Sequence, residues 1–251
     1  MKNHLWSREE LVLTINLYCK TPFGKLHKSN PDVIRLAELI GRTPSAVSWK
    51  LVNFASFDPS LQARGIKGAS NASNLDKEIW TEFFNNWDDL AYESEILLAN
   101  MKGEIIGVEP ELEIKDGLVK ERMIKTRVNQ SFFRATILAS YNQTCCVTGI
   151  QQPELLIASH IRPWNMDERN RLNPQNGICI NALHDKAFEI GYLTITPDFQ
   201  IRVSSILLKQ SKNQAIIDNF VNYNGKTIIL PSRFLPDQAF LKYHNNERFI
   251  Q

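Results

Sequence analysis

The C-terminal half of the chain takes its fold from a stretch that begins Ser159-His160-Ile161-Arg162-Pro163-Trp164. It continues with Asn173-Pro174-Gln175-Asn176-Gly177 and then with Leu183-His184-Asp185-Lys186-Ala187-Phe188-Glu189. An apolar run precedes the first segment, the second has the composition of a turn, and the third has the spacing of a short helix. We therefore expect a strand end, a turn and a helix to bring His160, Asn176 and His184 to one point.

The predicted elements around this stretch form a ββα unit. Residues 155–160 and 177–180 are short apolar runs of strand length, and the first of them ends on His160. Asn181 is a suitable N-cap for a helix that runs to Glu189, and Gly191 is a suitable stop for it. His184 then lies in the first turn of that helix.

Two histidines and an amide in this arrangement suit the hydrolysis of a phosphodiester. A neutral imidazole, whose ordinary pKa is ~6.5, can take a proton from water, and a divalent cation can polarise the phosphate and stabilise the leaving oxygen. One histidine can serve each role. Asn176 has no useful pKa, but its amide can fix a loop and orient the base histidine through hydrogen bonds.

The motifs of this half resemble those of the HNH endonucleases. The shared pattern is a Cys-x-x-Thr-Gly segment, a Ser-His-Ile-x-Pro-Trp strand end, an Asn-Gly turn and a Leu-His-x-x-x-Phe-acid-x-Gly helix, at residues 146–149, 159–164, 176–177 and 183–191. A lead-in at residues 127–134 and a hairpin at residues 192–203 extend it. Several spaced motifs in one order are far more specific than a pair of histidines.

The resemblance implies a catalytic group made of His160, Asn176 and His184. His160 would be the general base, Asn176 would fix the loop, and His184 would bind the metal. The implied cofactor is a single divalent metal ion, Mg²⁺ or Mn²⁺, with Zn²⁺ as an alternative.

One position departs from the pattern of the resembled family. Many HNH enzymes place an Asp or His immediately before the base as a second metal ligand, and this chain has Ser159 there. Either Ser159 or a water fills this place, or Asp185 or Glu189 reaches the ion.

The first 60 residues have helical periodicity. Ser7 with Glu10 predicts the start of one helix, Asn30-Pro31 the start of a second, and Thr43-Pro44 the start of a third. The second and third predicted helices are separated by residues 41–43, which is the spacing of a helix-turn-helix. Trp80, Phe83, Phe84 and Trp87 follow at helical spacing within residues 75–98 and are expected to lie in the core.

The third helix is a candidate recognition helix for DNA. Its apolar residues Val47, Leu51 and Phe54 would face inward, and Ser48, Trp49 and Asn53 would be available to a groove. A packing or dimerisation module accounts for the same pattern equally well, because helical hairpins with glycine turns are common in domains that do not bind DNA.

Charge is unevenly distributed along the chain. Residues 1–70 contain 10 Lys or Arg and 5 Asp or Glu, whereas residues 71–100 contain 1 and 7. The basic block suits contact with phosphates, although an uneven solvated surface is an equal alternative. Arg134 and Arg162 are further candidates for phosphate contact, with simple solvation as the alternative.

These patterns predict an α+β protein of two domains. The expected organisation is a helical domain at residues 1–99 with a helix-turn-helix-like unit, a linker at 100–120 and an HNH ββα-metal nuclease domain at 121–251. We expect a soluble, cytoplasmic protein with reduced cysteines, because the sequence has no apolar run of membrane length, no signal-peptide core and no Cys-x-x-Cys pair. His4, His27 and His244 have no companions that mark a site.

The resemblance implies a metal-dependent endonuclease that hydrolyses DNA, with a role in restriction or phage defence. A homodimer is expected, because cleaving a duplex needs two cuts. Two alternatives are a catalytically inactive DNA-binding or regulatory protein, which Ser159 favours, and a toxin nuclease that cleaves RNA, since ββα chemistry does not itself distinguish the two nucleic acids.

Overall fold

A computed structural model describes residues 5–66, 72–104, 117–210 and 212–251, with the backbone alone for residues 117–121. It contains two compact units, Met1–Ala139 and Ser140–Gln251. Most of the linker predicted at residues 100–120 lies outside the described residues. Its first residues belong to a helix that ends at Lys102, and its last ones to a helix that begins at Gly117.

The first unit is helical throughout its described residues. Its helices are α1 (Arg8–Lys20), α2 (Pro31–Leu39), α3 (Pro44–Ala55), α4 (Pro59–Ala63), α5 (Asn74–Asn85), α6 (Trp87–Lys102) and α7 (Gly117–Ser140), the last of which ends one residue inside the second unit. The predicted nuclease domain began at residue 121, whereas helix α7 groups with the first unit.

The helix starts follow from the capping residues in the sequence. The hydroxyl of Ser7 accepts a hydrogen bond from the Glu10 backbone, and the Glu10 carboxylate accepts one from the Ser7 backbone, which completes a capping box. The hydroxyl of Thr43 caps α3 by accepting a hydrogen bond from the backbone N–H of Ala46, with Pro44 at the first helical position. Both predicted starts are confirmed.

Helices α2 and α3 pack on each other as the predicted helix-turn-helix-like pair. The turn between them contains Gly41 with φ +69°, a left-handed conformation that favours glycine. Val47, Leu51 and Phe54 on α3 are fully buried, as predicted.

The aromatic segment that follows is two helices instead of one. Asn86, with φ −143° and ψ 61°, interrupts the helical conformation between α5 and α6. Trp80, Phe83 and Trp87 are buried on both sides of this break, which confirms their place in the core. Phe84 is half-buried and stacks on Trp80 with ring centroids 4.1 Å apart.

The second unit contains the predicted ββα element. Strands β1 (Leu156–His160) and β2 (Gly177–Asn181) pair antiparallel, with His160 opposite Gly177, and helix α8 (Ala182–Glu189) follows β2 directly. Asn181 caps α8 by accepting a hydrogen bond from the backbone N–H of His184. The chain is therefore of α+β class, as predicted.

A second hairpin and three more helices follow the ββα element. They are β3 (Leu193–Ile195), β4 (Ile201–Val203), α9 (Ser205–Leu208), α10 (Gln214–Asn219) and α11 (Gln238–Glu247). The two strands pair antiparallel, and α11 packs against β3. None of the helices in the described residues combines the length and apolar character that a membrane crossing requires.

The segment after α11 returns to the end of α8. Gly191, with φ +82°, accepts a hydrogen bond at its carbonyl from the backbone N–H of Ile250 (2.9 Å). A Cβ atom on Gly191 would lie 2.1 Å from the carbonyl oxygen of Arg248, so this close approach requires glycine.

Substitution of Gly191 by alanine should therefore destabilise the second unit by about 2 kcal/mol or more, because left-handed strain and a backbone clash add. Gly225→Ala is a matched control: its φ is +80°, but nothing lies within 4 Å of the added Cβ. We expect about 1 kcal/mol for the control, from strain alone. Urea unfolding of both variants checks this, and equal losses would contradict the close packing at Gly191.

Candidate active site

A cavity of about 510 Å³ lies beside the ββα element. Its walls come from β1, the loop after it, α8 and the end of α11. The lining residues are Ile157, Ala158, Ser159, His160, Ile161, Pro163, Asn165, Met166, Asp185, Phe188, Glu189, His244 and Arg248.

His160 is held at the end of β1 in a defined tautomer. Its Nε2 lies 2.7 Å from the carbonyl oxygen of Arg171. Because a carbonyl only accepts, Nε2 carries the proton, and the lone pair of the neutral ring is on Nδ1. The ring of Trp164 meets the imidazole edge to face at 5.3 Å between centroids.

The surroundings of His160 keep it neutral at physiological pH. Burial lowers the pKa of His160 below its ordinary value, since the charged imidazolium is poorly solvated there. The carbonyl of Arg171 and the negative charge of Asp185 act in the opposite direction. An imidazole of this kind has a lone pair ready to accept a proton.

Asn176 fixes the loop between the two strands. Its side chain is fully buried, and its Oδ1 accepts a hydrogen bond from the backbone N–H of Arg162 (2.8 Å). Its Nδ2 donates to the carbonyls of Arg162 and Asn170, both at 3.2 Å. These contacts span the loop and fit the loop-fixing role that the resemblance implies.

His184 lies on the buried face of helix α8. It has no exposed surface and is not among the residues that line the cavity. Its Nδ1 lies 3.0 Å from Oδ1 of Asn181, and its Nε2 donates to the carbonyl of Asn219. Burial lowers the pKa of His184, and the ring packs on Phe220 at 5.1 Å between centroids. This environment argues against the predicted metal-binding role of His184, because a ligand needs a nitrogen lone pair directed at the ion.

The neighbouring residue, Asp185, faces the cavity instead. It is half-buried, and its charge acts on His160. Ser159 also lines the cavity, with 8% of its surface exposed. Within the described residues, no three His, Cys, Asp or Glu side chains form a group that could hold a metal.

The oxygen donors of Asp185 and Ser159 fit Mg²⁺ better than Zn²⁺. Mg²⁺ is commonly bound by one or two carboxylates and completed by water and substrate phosphates, and Asp185 can supply such a carboxylate. Structural and catalytic Zn²⁺ sites require several nitrogen or sulfur ligands, which the cavity wall does not gather.

The two arginines expected to contact phosphate have other surroundings. Arg162 forms an ion pair with Asp167 (2.8 Å), and its guanidinium lies 4.8 Å from the ring centroid of Tyr243. Arg134 is half-buried on α7 in the first unit. Neither residue lines the cavity.

Of the three candidate recognition residues on α3, Trp49 alone has a largely exposed side chain, at 66%. Asn53 was expected at the surface, and this is corrected: it is 7% exposed, and its Nδ2 donates to Asp76 (3.2 Å). Ser48 is half-buried, and its hydroxyl donates to the carbonyl of Leu26 (2.7 Å).

Two ionisable residues of the cavity were missed by the sequence analysis. His244 and Arg248 line it from the C-terminal end of the chain, although His244 had no companion in the sequence. Nε2 of His244 donates to the carbonyl of Phe188 (3.1 Å), and Nδ1 accepts from the hydroxyl of Thr194 (2.8 Å). Burial lowers the pKa of His244 to about 4, so it is neutral at physiological pH. No local motif indicated either residue.

Comparison with known proteins bears on the same part of the chain. Residues 145–196 match the model of a family described as HNH endonuclease. None of the curated proteins matches the chain. The matched segment contains β1, β2, α8 and β3, so the match confirms the resemblance to HNH endonucleases at the ββα element and indicates an enzyme of the nuclease class.

The different surroundings of His184 and Asp185 lead to a paired prediction. His184→Ala should lower the free energy of unfolding by roughly 2–4 kcal/mol, because it leaves a cavity and an unpaired carbonyl. Asp185→Asn should change stability little and should weaken Mn²⁺ binding. Urea unfolding and Mn²⁺ titration by calorimetry measure both effects. A stable His184→Ala variant that had lost Mn²⁺ binding would restore His184 as the ligand.

Proposed function

We propose that the second unit hydrolyses phosphodiester bonds of DNA with the help of a single divalent cation. One observation carries the proposal: the hydrogen bond from Nε2 of His160 to the carbonyl of Arg171, in a cavity that Asp185 also lines. It supplies an oriented, neutral base beside a carboxylate, in a segment that matches the HNH endonucleases.

His160 is the proposed general base. A water molecule that attacks phosphorus must lose a proton, and the lone pair on Nδ1 of His160 can accept it. The imidazolium that forms is stabilised by the carbonyl of Arg171 on one side and by the charge of Asp185. Asn176 acts through the backbone, because it fixes the loop that carries the carbonyl of Arg171.

Asp185 is the proposed metal-binding residue, with the hydroxyl of Ser159 as a further oxygen ligand. When bound, Mg²⁺ or Mn²⁺ would supply a positive charge that polarises the phosphate and stabilises the leaving oxygen. His184 has a positioning role in this proposal: it holds α8 to the segment that contains Asn219, and so fixes the helix that carries Asp185.

DNA is the proposed substrate, and the first unit is its proposed recognition domain. The helix-turn-helix-like pair α2–α3 and the exposed Trp49 support this assignment. A role in restriction or phage defence and a homodimeric assembly are part of the same proposal, and both rest on the family resemblance.

The proposal is tested by nicking of a supercoiled plasmid with Mg²⁺, Mn²⁺ or EDTA. His160→Ala should lower the rate at least about 10²-fold, since it removes the base. His27→Ala is the matched control, because His27 is exposed in the first unit and should be dispensable. Circular dichroism of each variant establishes that the fold is retained.

Three other results would favour an alternative to a metal-dependent DNA nuclease. Cleavage that persists in EDTA would contradict a metal-dependent reaction. Cleavage of RNA but not of DNA in a parallel digestion would favour the toxin interpretation. A wild-type protein that binds DNA without cutting it under any condition would favour the inactive, regulatory interpretation.

The lowered pKa of His160 predicts the pH dependence of the reaction. The base form increases as pH rises through this pKa, so the cleavage rate should rise with pH and reach half its plateau below about pH 6.5, the ordinary histidine value. Single-turnover rates between pH 5 and pH 8 measure this profile. A half-plateau above that value would show that His160 is not the base in the surroundings described.

A further inference from the structure

The cavity wall has an unusual balance of charge for a site that must receive a phosphodiester. It includes two carboxylates, Asp185 and Glu189. Among the described residues that line it, Arg248 is the only Lys or Arg. His244 is neutral at physiological pH, because burial disfavours its charged form. The permanent positive charge in this cavity wall is therefore that of Arg248. Arg248 lies outside the matched segment at residues 145–196.

Arg248 is held in place from both its backbone and its side chain. Its backbone N–H donates to the carbonyl of His244 (3.1 Å), and two residues later Ile250 donates to Gly191 (2.9 Å). Its Nη2 donates to the carbonyl of Glu189 at the C-terminal end of α8 (2.9 Å). The residue is nevertheless exposed, so its guanidinium is both oriented and accessible.

The guanidinium of Arg248 can donate to a second acceptor besides the carbonyl of Glu189. Arginine carries five N–H donors in a planar fork that matches the oxygens of a phosphate, and the bond to Glu189 uses one nitrogen. The carboxylate of Glu189, which also lines the cavity, forms an ion pair with Lys186 (2.7 Å).

Two other cations of the second unit are engaged by carboxylates. Arg162 is paired with Asp167 and lies over Tyr243. Lys186 is paired with Glu189 and does not line the cavity.

We propose that Arg248 binds a non-bridging oxygen of the phosphodiester that occupies this cavity. The inference rests on the proposed nuclease function. It adds a substrate-binding residue from the C-terminal segment, whose backbone packs closely on Gly191.

The test measures binding of a fluorescently labelled DNA duplex by anisotropy, at a fixed low concentration of Mg²⁺ and over a range of KCl concentrations. The full chain with His160→Ala serves as the background, so that cleavage does not interfere. Adding Arg248→Ala should weaken binding about tenfold and reduce the slope of log affinity against log salt by about 1, the effect of one lost phosphate contact.

Three further variants make the result specific. Arg248→Lys keeps the charge and should retain most of the slope. Arg248→Gln removes the charge but keeps a donor for the carbonyl of Glu189, so it should behave as Arg248→Ala even if the alanine variant is less stable. Lys242→Ala removes an exposed cation from α11 and should leave the slope unchanged.

The outcomes separate this inference from the function on which it rests. An unchanged slope in both the alanine and glutamine variants, or an equal decrease in Lys242→Ala, would overturn the role of Arg248 while the nuclease proposal stands. A background protein that fails to bind the duplex at all would overturn both.

Discussion

The side chain of Asn176 is the contact on which the site depends most. Its amide is buried at the start of β2, and its three hydrogen bonds reach the backbone on both flanks of the loop, at Arg162 and Asn170. The carbonyl of Arg171 follows directly after this anchor and accepts the proton of Nε2 of His160. The buried amide thus fixes the loop whose carbonyl sets the tautomer of His160. Its hydrogen bonds hold firmly, because an amide away from water is costly unless its donors and acceptors are paired.

The C-terminal segment completes what the ββα element begins. The matched family segment supplies His160 and Asp185, but one wall of the cavity is made by His244 and Arg248. These residues reach the site because Gly191 lets the backbone after α11 approach the end of α8. His244 also stacks on Phe188 at 3.7 Å between ring centroids, which joins α11 to α8. The site therefore requires a larger part of the second unit than the family segment alone.

Local signals in the sequence predicted the elements well, because capping and turn chemistry act over a few residues. Ser7, Thr43 and Asn181 mark helix starts that the structure contains. The order of strand, loop, strand and helix also followed from short-range patterns. The break at Asn86 was missed, because the apolar spacing continues across it and hides the change of direction.

Which residues face the cavity could not be predicted from those signals. His184 and Asp185 are neighbours on α8, about 100° apart around the helix axis, so the rotation of the helix decides which of them is buried. That rotation depends on Asn219 and Phe220, more than 30 positions along the chain. The surroundings of Asn53 and Arg248 also depend on residues distant in the sequence. Asn53 is buried against Asp76 on another helix, and Arg248 is bonded to the carbonyl of Glu189.

His160 is held neutral with its lone pair on Nδ1, as its proposed role as general base requires. The most direct measurement is the ¹⁵N chemical shift of both ring nitrogens of His160 by NMR, at neutral pH, assigned by comparison with His160→Ala. We expect a protonated Nε2 and an unprotonated Nδ1. A proton on Nδ1, or a charged ring at neutral pH, would contradict it.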